Sequence, residues 1–346
     1  MNGWKTVPAG LRLLAAAFVV ISLVAPAAQA QTPAEIQAAL DAAHAKFKDL
    51  EEGKNADYIP ALAKVDPKIF GIALVTADGK VYTAGDVKSE VSIQSISKVF
   101  TMAKVMEESG PDAIASTIGV DATGMRFNSI VSIELSQKAL GGPEMNALVN
   151  PGAIAATSMV KGATRDAIWN SILGFYSDFA GRPLSVDQEV FKSEADTNQR
   201  NQAIGYLMYA YGYIKANPMQ ATDVYTEQCS VSVSAKDLAM MAGTLANAGK
   251  NPVTGKQVMK SEYVPKVLAV MATAGLYDDS GKWFFRTGLP GKSGVGGGLI
   301  AVSPGRFGIA VVSPPLDEAG NSVRAQKAIA HVSSALGGNP LAAKAR

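Results

Sequence analysis

Cysteine, histidine and net charge are all scarce in this sequence, and each scarcity removes a class of function. Cys229 is the only cysteine in 346 residues. No internal disulfide can form, so stability must come from a hydrophobic core. One cysteine and two histidines, His44 and His331, cannot assemble a Cys/His zinc site, and no glycine-rich loop has phosphate-binding spacing. Neither a metal nor a cofactor is therefore expected. A Ser-His-Asp triad would have to recruit one of those two histidines, which lie in the terminal stretches with no motif around them. With 32 basic against 30 acidic residues, the chain has no electrostatic reason to seek nucleic acid.

The opening thirty residues read as a secretory signal peptide. Lys5 and Arg12 precede an apolar run from Leu13 to Val24, and Ala28-Gln29-Ala30 supplies a small-x-small cleavage site. The run is short for a membrane span, and no later one is long enough. The expected mature chain starts near Gln31, has lost two bases and no acids, and is exported, most simply to the periplasm, without membrane attachment. About three hundred residues remain, in a chain that is 48% hydrophobic, enough for one large or two medium domains.

Along the chain, an alanine-rich amphipathic stretch from Thr32 to Lys54 predicts a helix with His44 on its polar face. Two β-prone runs, Ile69 to Thr76 and Val81 to Ala84, flank Asp78-Gly79, a hairpin signal. The middle is helical. Thr164 can cap a helix over Ala167 to Ala180, Arg200 to Ala216 is apolar at helical spacing, Ser234 and Asp237 resemble a capping box before Leu238 to Ala248, and Ser261 can start a helix ended by Gly275. Leu299 to Val302 and Phe307 to Val312 then form a second hairpin around Pro304-Gly305, and Asn321 to Leu336 closes as a helix. Strands at both ends with helices between them imply an α+β arrangement, with 31–100 and 287–346 forming one antiparallel sheet part and 101–286 a helical insert. Without a linker between them, the two parts should pack as one body, with a cleft where they meet.

The chemistry concentrates at Ser92-Ile93-Gln94-Ser95-Ile96-Ser97-Lys98-Val99-Phe100. The apolar positions Ile96, Val99, Phe100, Ala103 and Met106 form a helical stripe, and Gly110 ends it. Residues three apart share a helix face, so Ser95 can meet the amine of Lys98 while Ser97 points elsewhere. A serine is a poor nucleophile unless a neighbour takes its proton, and a lysine can do so once burial or nearby positive charge lowers its pKa. The same spacing would equally serve an N-cap hydroxyl and a solvated lysine. Far downstream, Leu289-Pro290-Gly291-Lys292-Ser293-Gly294-Val295-Gly296-Gly297-Gly298 precedes a strand. The Val295 N–H there, with the Ser95 N–H, could form an oxyanion hole, although a glycine-rich loop can also merely permit a bend. Ser-x-x-Lys followed by Lys-Ser-Gly is the order seen in penicillin-recognising serine enzymes.

Taken with Tyr58-Ile59-Pro60, Gly124-Met125-Arg126-Phe127-Asn128, Val149-Asn150-Pro151-Gly152-Ala153-Ile154, Arg200-Asn201, Gln228-Cys229-Ser230-Val231, Gly288-Leu289-Pro290 and Ser313-Pro314-Pro315-Leu316-Asp317, the sequence resembles the serine-dependent glutaminases. Their fold is that of the β-lactamase/transpeptidase superfamily. The likeness runs from about Tyr58 to Asn321 and departs in having Asn146-Ala147 where Asn-Pro is usual, and Gly291 where alanine is common. The resemblance implies hydrolysis of L-glutamine to L-glutamate and ammonia through an acyl-enzyme on Ser95, with Lys98 as base and Tyr277, rather than Tyr225, relaying a proton. It further implies that Tyr58, Asn150, Glu194, Asn201, Tyr225 and Tyr277 surround the substrate, that the Val295 backbone completes the oxyanion hole, and that the protein is a homo-oligomer, a dimer or a tetramer. A dry pocket must pair the substrate's ammonium and carboxylate, for which one acid and donor amides are suited. Two other readings stand beside it: a penicillin-recognising serine hydrolase, and a non-catalytic glutamine binder.

Overall fold

The computed structural model of the chain describes residues 1–3, 31–136 and 145–342. The signal-peptide features, Lys5 through Ala30, lie outside the described residues, as do the last four positions of the expected sheet part.

Continuous apolar runs, buried on both faces, build most of the main sheet. Strands β1 (Gly71–Thr76) and β2 (Val81–Gly85) pair antiparallel across the Asp78-Gly79 turn, where Gly79 takes φ 87°, a left-handed value that glycine adopts without steric cost. A short strand β3 (Glu90–Ser92) pairs with β4 (Ser232–Ser234) in a separate two-stranded sheet. β5 (Gly291–Ser293), β6 (Gly298–Ser303) and β7 (Phe307–Val312) complete a five-stranded antiparallel sheet in the order β2-β1-β7-β6-β5. The two ends of the chain meet at its centre, with Ile72 opposite Val311 and Leu74 opposite Ile309.

Because successive strand residues point to opposite faces, this sheet has two different coats. Ile72, Leu74, Ile309 and Val311 face the terminal helices Pro33–Phe47 and Val323–Ala335, where Leu40, Ile329 and Val332 close an apolar cluster. Ala73, Val75, Ile300, Val302, Ala310 and Val312 face the helix Ala235–Ala246 and join the larger core of the helical region. That helix approaches the sheet backbone to backbone: a side chain at Gly308 would collide with the main chain of Ala242 and Gly243. A division at 100/101 and 286/287 places this helix in the helical part, yet it is the layer shared by both parts. Its capping box, Ser234 with Asp237, starts it three residues before the expected Leu238.

Several elements differ from the sequence expectation for identifiable reasons. The predicted helix over Arg200 to Ala216 stops early, spanning Gln199–Ala210: Gly212 takes φ 77° in the turn that follows, and Asn217 caps a separate helix, Pro218–Cys229. Lys292 and Ser293 belong to edge strand β5 itself rather than to a loop before a strand; a glycine-led polar triplet carries no alternation to reveal it. His44 stacks on Phe70 at 5.0 Å and His331 meets Phe47 edge-on at 6.0 Å, so both histidines pack among the terminal elements. The helix after Ser95 is enclosed on every face: each residue from Ser97 to Met106 is buried, which replaces the expected one-sided stripe by burial all round.

Candidate active site

The segment carrying Ser95 is locked from three directions before any chemistry is considered. β3 pairs with β4, a 3-10 turn Gln94–Ile96 follows, and the buried helix Ser97–Ser109 continues it. Gln94 takes φ 47°, uncommon for a residue with a side chain. The glycine-rich turn between β5 and β6 presses on this segment. A side chain at Gly294 would sit 2.7 Å from the Ile93 carbonyl oxygen, and one at Gly296 would collide with that of Ser92. The glycines therefore permit a close approach that brings Val295, 7% exposed, beside the Ser95 turn.

Lys98 is fully buried, and its Nζ donates to Asn150 Oδ1 at 2.5 Å. Burial pushes its pKa down to about 8, against the opposing pull of Cys229 and Glu194. Asn150 opens the helix Asn150–Met159, anchored by its N–H to the Phe127 carbonyl at 2.7 Å. Its Oδ1 also accepts from the Tyr225 hydroxyl at 3.2 Å, and its Nδ2 donates to Asn201 Oδ1 at 2.9 Å. One amide thus gathers Lys98, Tyr225 and Asn201. The amine of Lys98, expected at Ser95 from helix spacing, is turned to Asn150; no Ser95–Lys98 hydrogen bond is found among the described residues.

Ser95 instead lies close enough to Tyr277 to lower the pKa of its phenol, and the Tyr277 hydroxyl donates to the Ser293 carbonyl at 3.4 Å. Burial raises the Tyr277 phenol to about 12, while the hydrogen bonds of Ser95 and Ser293 pull it down. Tyr277 holds φ 59° at the start of a 3-10 turn, and its ring lies 5.1 Å from that of Phe127. Gln94 and Tyr277 both occupy the left-handed region at a cost of about 1–3 kcal/mol each, strain of the kind that collects at functional sites.

Glu194 sits in the last turn of the helix Gln188–Ala195, 6% exposed. Gln94 Nε2 donates to its Oε2 at 3.0 Å and also to Ser92 Oγ at 3.2 Å. Burial raises the carboxyl to about 7, partly offset by the Gln94 hydrogen bond and by Lys98. Tyr58 is 53% exposed as a residue, yet burial of its hydroxyl end, then Tyr277 and Glu194, push the phenol well up. With Phe127, Val295 and Gly320 it lines a cleft of about 710 Å³ open to solvent. Tyr225 is buried in the helix Pro218–Cys229, and its phenol is pushed up chiefly by burial.

The residues named from the sequence, Tyr58, Ser95, Lys98, Asn150, Glu194, Asn201, Tyr225, Tyr277 and Val295, are linked here by hydrogen bonds, by shared electrostatics or across the cleft wall. Two others were given no role. Gln94, next to Ser95 in the chain, joins Ser92 to Glu194; its left-handed backbone leaves no trace in sequence. Lys292 is buried beside the Tyr277 ring, and the Lys-Ser-Gly triplet is the sequence signal for it. Ser97 has its hydroxyl 3.9 Å from Cys229 Sγ, away from the cleft. The departure at Gly291 also has a cause, since a side chain there would sit 2.7 Å from the Trp283 indole nitrogen, which donates to Leu289 O.

Comparison with known proteins converges on one group. The family described as Glutaminase matches residues 53–339. A glutaminase of Colwellia psychrerythraea is 53% identical over 304 residues, covering 88% of this chain and 96% of that protein. One of Brucella canis is 50% identical, with 88% and 95% covered. Among solved structures, a probable glutaminase, ybaS, superposes with a TM-score of 0.86 at 46% identity over 89% of this chain and 98% of that one. A probable glutaminase of Bacillus subtilis gives 0.77 at 27% identity, covering 87% and 95%. The α+β fold is thus the β-lactamase-like fold shared with these structures, and the chain belongs to the glutaminase family.

Proposed function

We propose that the chain hydrolyses free L-glutamine to L-glutamate and ammonia through a γ-glutamyl ester on Ser95, without a cofactor. The observation that carries this reading is the joining of Ser95, Tyr277, Lys98, Asn150 and a lone buried acid, Glu194, in one enclosed polar cluster. Ser95 Oγ attacks the side-chain amide carbon and gives up its proton through Tyr277 or directly to Lys98, whose lowered pKa leaves a usable fraction neutral near pH 7–8. The N–H groups of Ser95 and Val295 receive the oxyanion. Ammonia departs with a proton returned by Tyr277, and water hydrolyses the ester with the same groups in reverse. Glu194 takes the substrate ammonium, and Asn201, oriented by Asn150, donates to the α-carboxylate.

The decisive measurement is ammonia release from glutamine and asparagine by the mature chain. Release from glutamine that vanishes in Ser95→Ala fits; covalent labelling by a fluorescent penicillin points to a penicillin-recognising hydrolase, and thermal stabilisation by glutamine without ammonia to a binder.

The proposal extends to export and assembly. Lys5, Arg12, the apolar run and Ala28-Gln29-Ala30 support a cleaved signal and a periplasmic enzyme with its N-terminus near Gln31. N-terminal sequencing of the exported fraction tests this, and an intact Met1 found only in cytosol refutes it. A dimer or tetramer is supported by exposed Ile130, Val131 and Leu135 next to the Tyr211–Glu134 hydrogen bond, and by exposed Tyr206 and Tyr209 on the adjoining helix. Light scattering at several concentrations reads the state directly.

A further inference from the structure

Lys292 is a fully buried lysine with no carboxylate partner among the described residues. A buried unpaired amine is costly, and nothing in the fold requires one on an edge strand otherwise made of Gly291 and Ser293. Its Nζ donates to the Ser293 carbonyl at 2.7 Å and sits 4.0 Å from the centroid of the Tyr277 ring. The same carbonyl also accepts from the Tyr277 hydroxyl at 3.4 Å, a long contact, and that hydroxyl lies within electrostatic reach of Ser95. Two donors therefore share one carbonyl oxygen through its two lone pairs, and the lysine has the shorter bond. Phe127 also limits the ring, at 5.1 Å, and Lys98 lies 6.0 Å from it.

We propose that Lys292 is a positioning residue for Tyr277: by fixing the Ser293 carbonyl that also receives the Tyr277 hydroxyl, and by lying against the ring, it holds that hydroxyl beside Ser95. No bond is made or broken at Lys292. Its charge state fits the role, because burial and then the neighbouring Lys98, opposed by Cys229, push its pKa well below the usual lysine value and favour a neutral amine, which still donates. A neutral donor steers a phenol without placing a second cation beside Lys98. The inference rests on the reading of Ser95 and Tyr277 as reacting groups.

A double-mutant cycle on the full mature chain tests it. Lys292→Met keeps the length and removes the donor, so the Ser293 carbonyl and the Tyr277 hydroxyl that it receives lose their anchor. Its kcat should fall about 10- to 100-fold with KM within about threefold, and adding Lys292→Met to Tyr277→Phe should cost nothing further, because residues acting as one unit are non-additive. The midpoint of thermal unfolding should hold or rise, since an apolar group replaces a buried amine. Wild-type kcat in Lys292→Met, or losses that multiply in the double variant, would overturn the proposal. Lys292→Leu is carried through the same cycle if methionine does not give folded protein, and loss of folding in both makes the lysine structural and refutes the role. Full activity in Ser95→Ala would instead sink the underlying reading, whatever position 292 does.

Discussion

The two coats of the main sheet solve opposite problems with the same strands. Against the terminal helices, Ile72, Leu74, Ile309 and Val311 meet Leu40, Ile329 and Val332 in an apolar cluster, with the Arg324 guanidinium over its Phe70 ring at 5.3 Å. Beyond the other coat, the Ser97–Ser109 helix and edge strand β5 bury three lysines, Lys98, Lys104 and Lys292; Lys104 pairs with Glu108, while Glu194, Asn150, Tyr225 and Tyr277 lie close to the other two. The apolar cluster gains free energy from every residue it buries, at about 25 cal/mol per Å². The polar one loses some through desolvation and recovers it only where partners are placed well. The dry side is thus able to support the strain and desolvation of the wet side, and the displaced pKa values of Lys98, Glu194 and Tyr277 occur only there.

Breaking the wet side alone should give the largest effect. Ser95→Ala removes the nucleophile from a region that contributes little to stability, so turnover should fall by about 10⁴ or more with thermal unfolding almost unchanged. Steady-state ammonia assays beside calorimetry read both; retained turnover refutes the role of Ser95. Breaking the dry side is the converse. Leu74→Ala opens a cavity behind β1 and should cost about 2–5 kcal/mol of stability while leaving KM unchanged, as measured by denaturant unfolding and kinetics at low temperature. A large KM change there would show that the two coats are not independent.

Smaller effects sharpen the comparison. Glu194→Gln should raise KM about 10- to 100-fold by removing a charge-assisted bond of about 1.5–3 kcal/mol. In the wild type, kcat/KM should fall as pH drops through the window from about 8 to about 7. Lys98 gains a proton below its pKa of about 8 and stops acting as a base, and Glu194 is neutralised below about 7 and no longer holds the ammonium. The groups are coupled, so the profile reports apparent values for the cluster. Glu194→Gln should remove the lower step, and a profile identical to wild type would place Glu194 outside the pocket. Ser97→Ala should do least: its hydroxyl touches only Cys229 at 3.9 Å, so kcat should stay within about tenfold, at most ~1.4 kcal/mol in the barrier. A loss as large as that of Ser95→Ala would reassign the nucleophile.

Sequence by itself determined the terminal hairpins, the capped helices and the family. These rest on local signals: the β-prone run from Ile69 to Thr76, the Asp78-Gly79 turn, the Ser234–Asp237 box, and strings of motif residues. It could not determine which way Lys98 points. Helix spacing relates it to Ser95, but the amine follows the best acceptor in a dry interior, and Asn150, 52 residues away, supplies it at 2.5 Å. Nor could it reveal the left-handed backbones of Gln94 and Tyr277, which surrounding packing imposes against local preference. The edge strand holding Lys292 is set by its pairing with β6, where Lys292 lies opposite Ile300. Local propensity fixes elements over a few residues, whereas a buried polar group's partner is chosen by everything that reaches the same volume, and only the tertiary structure brings those together.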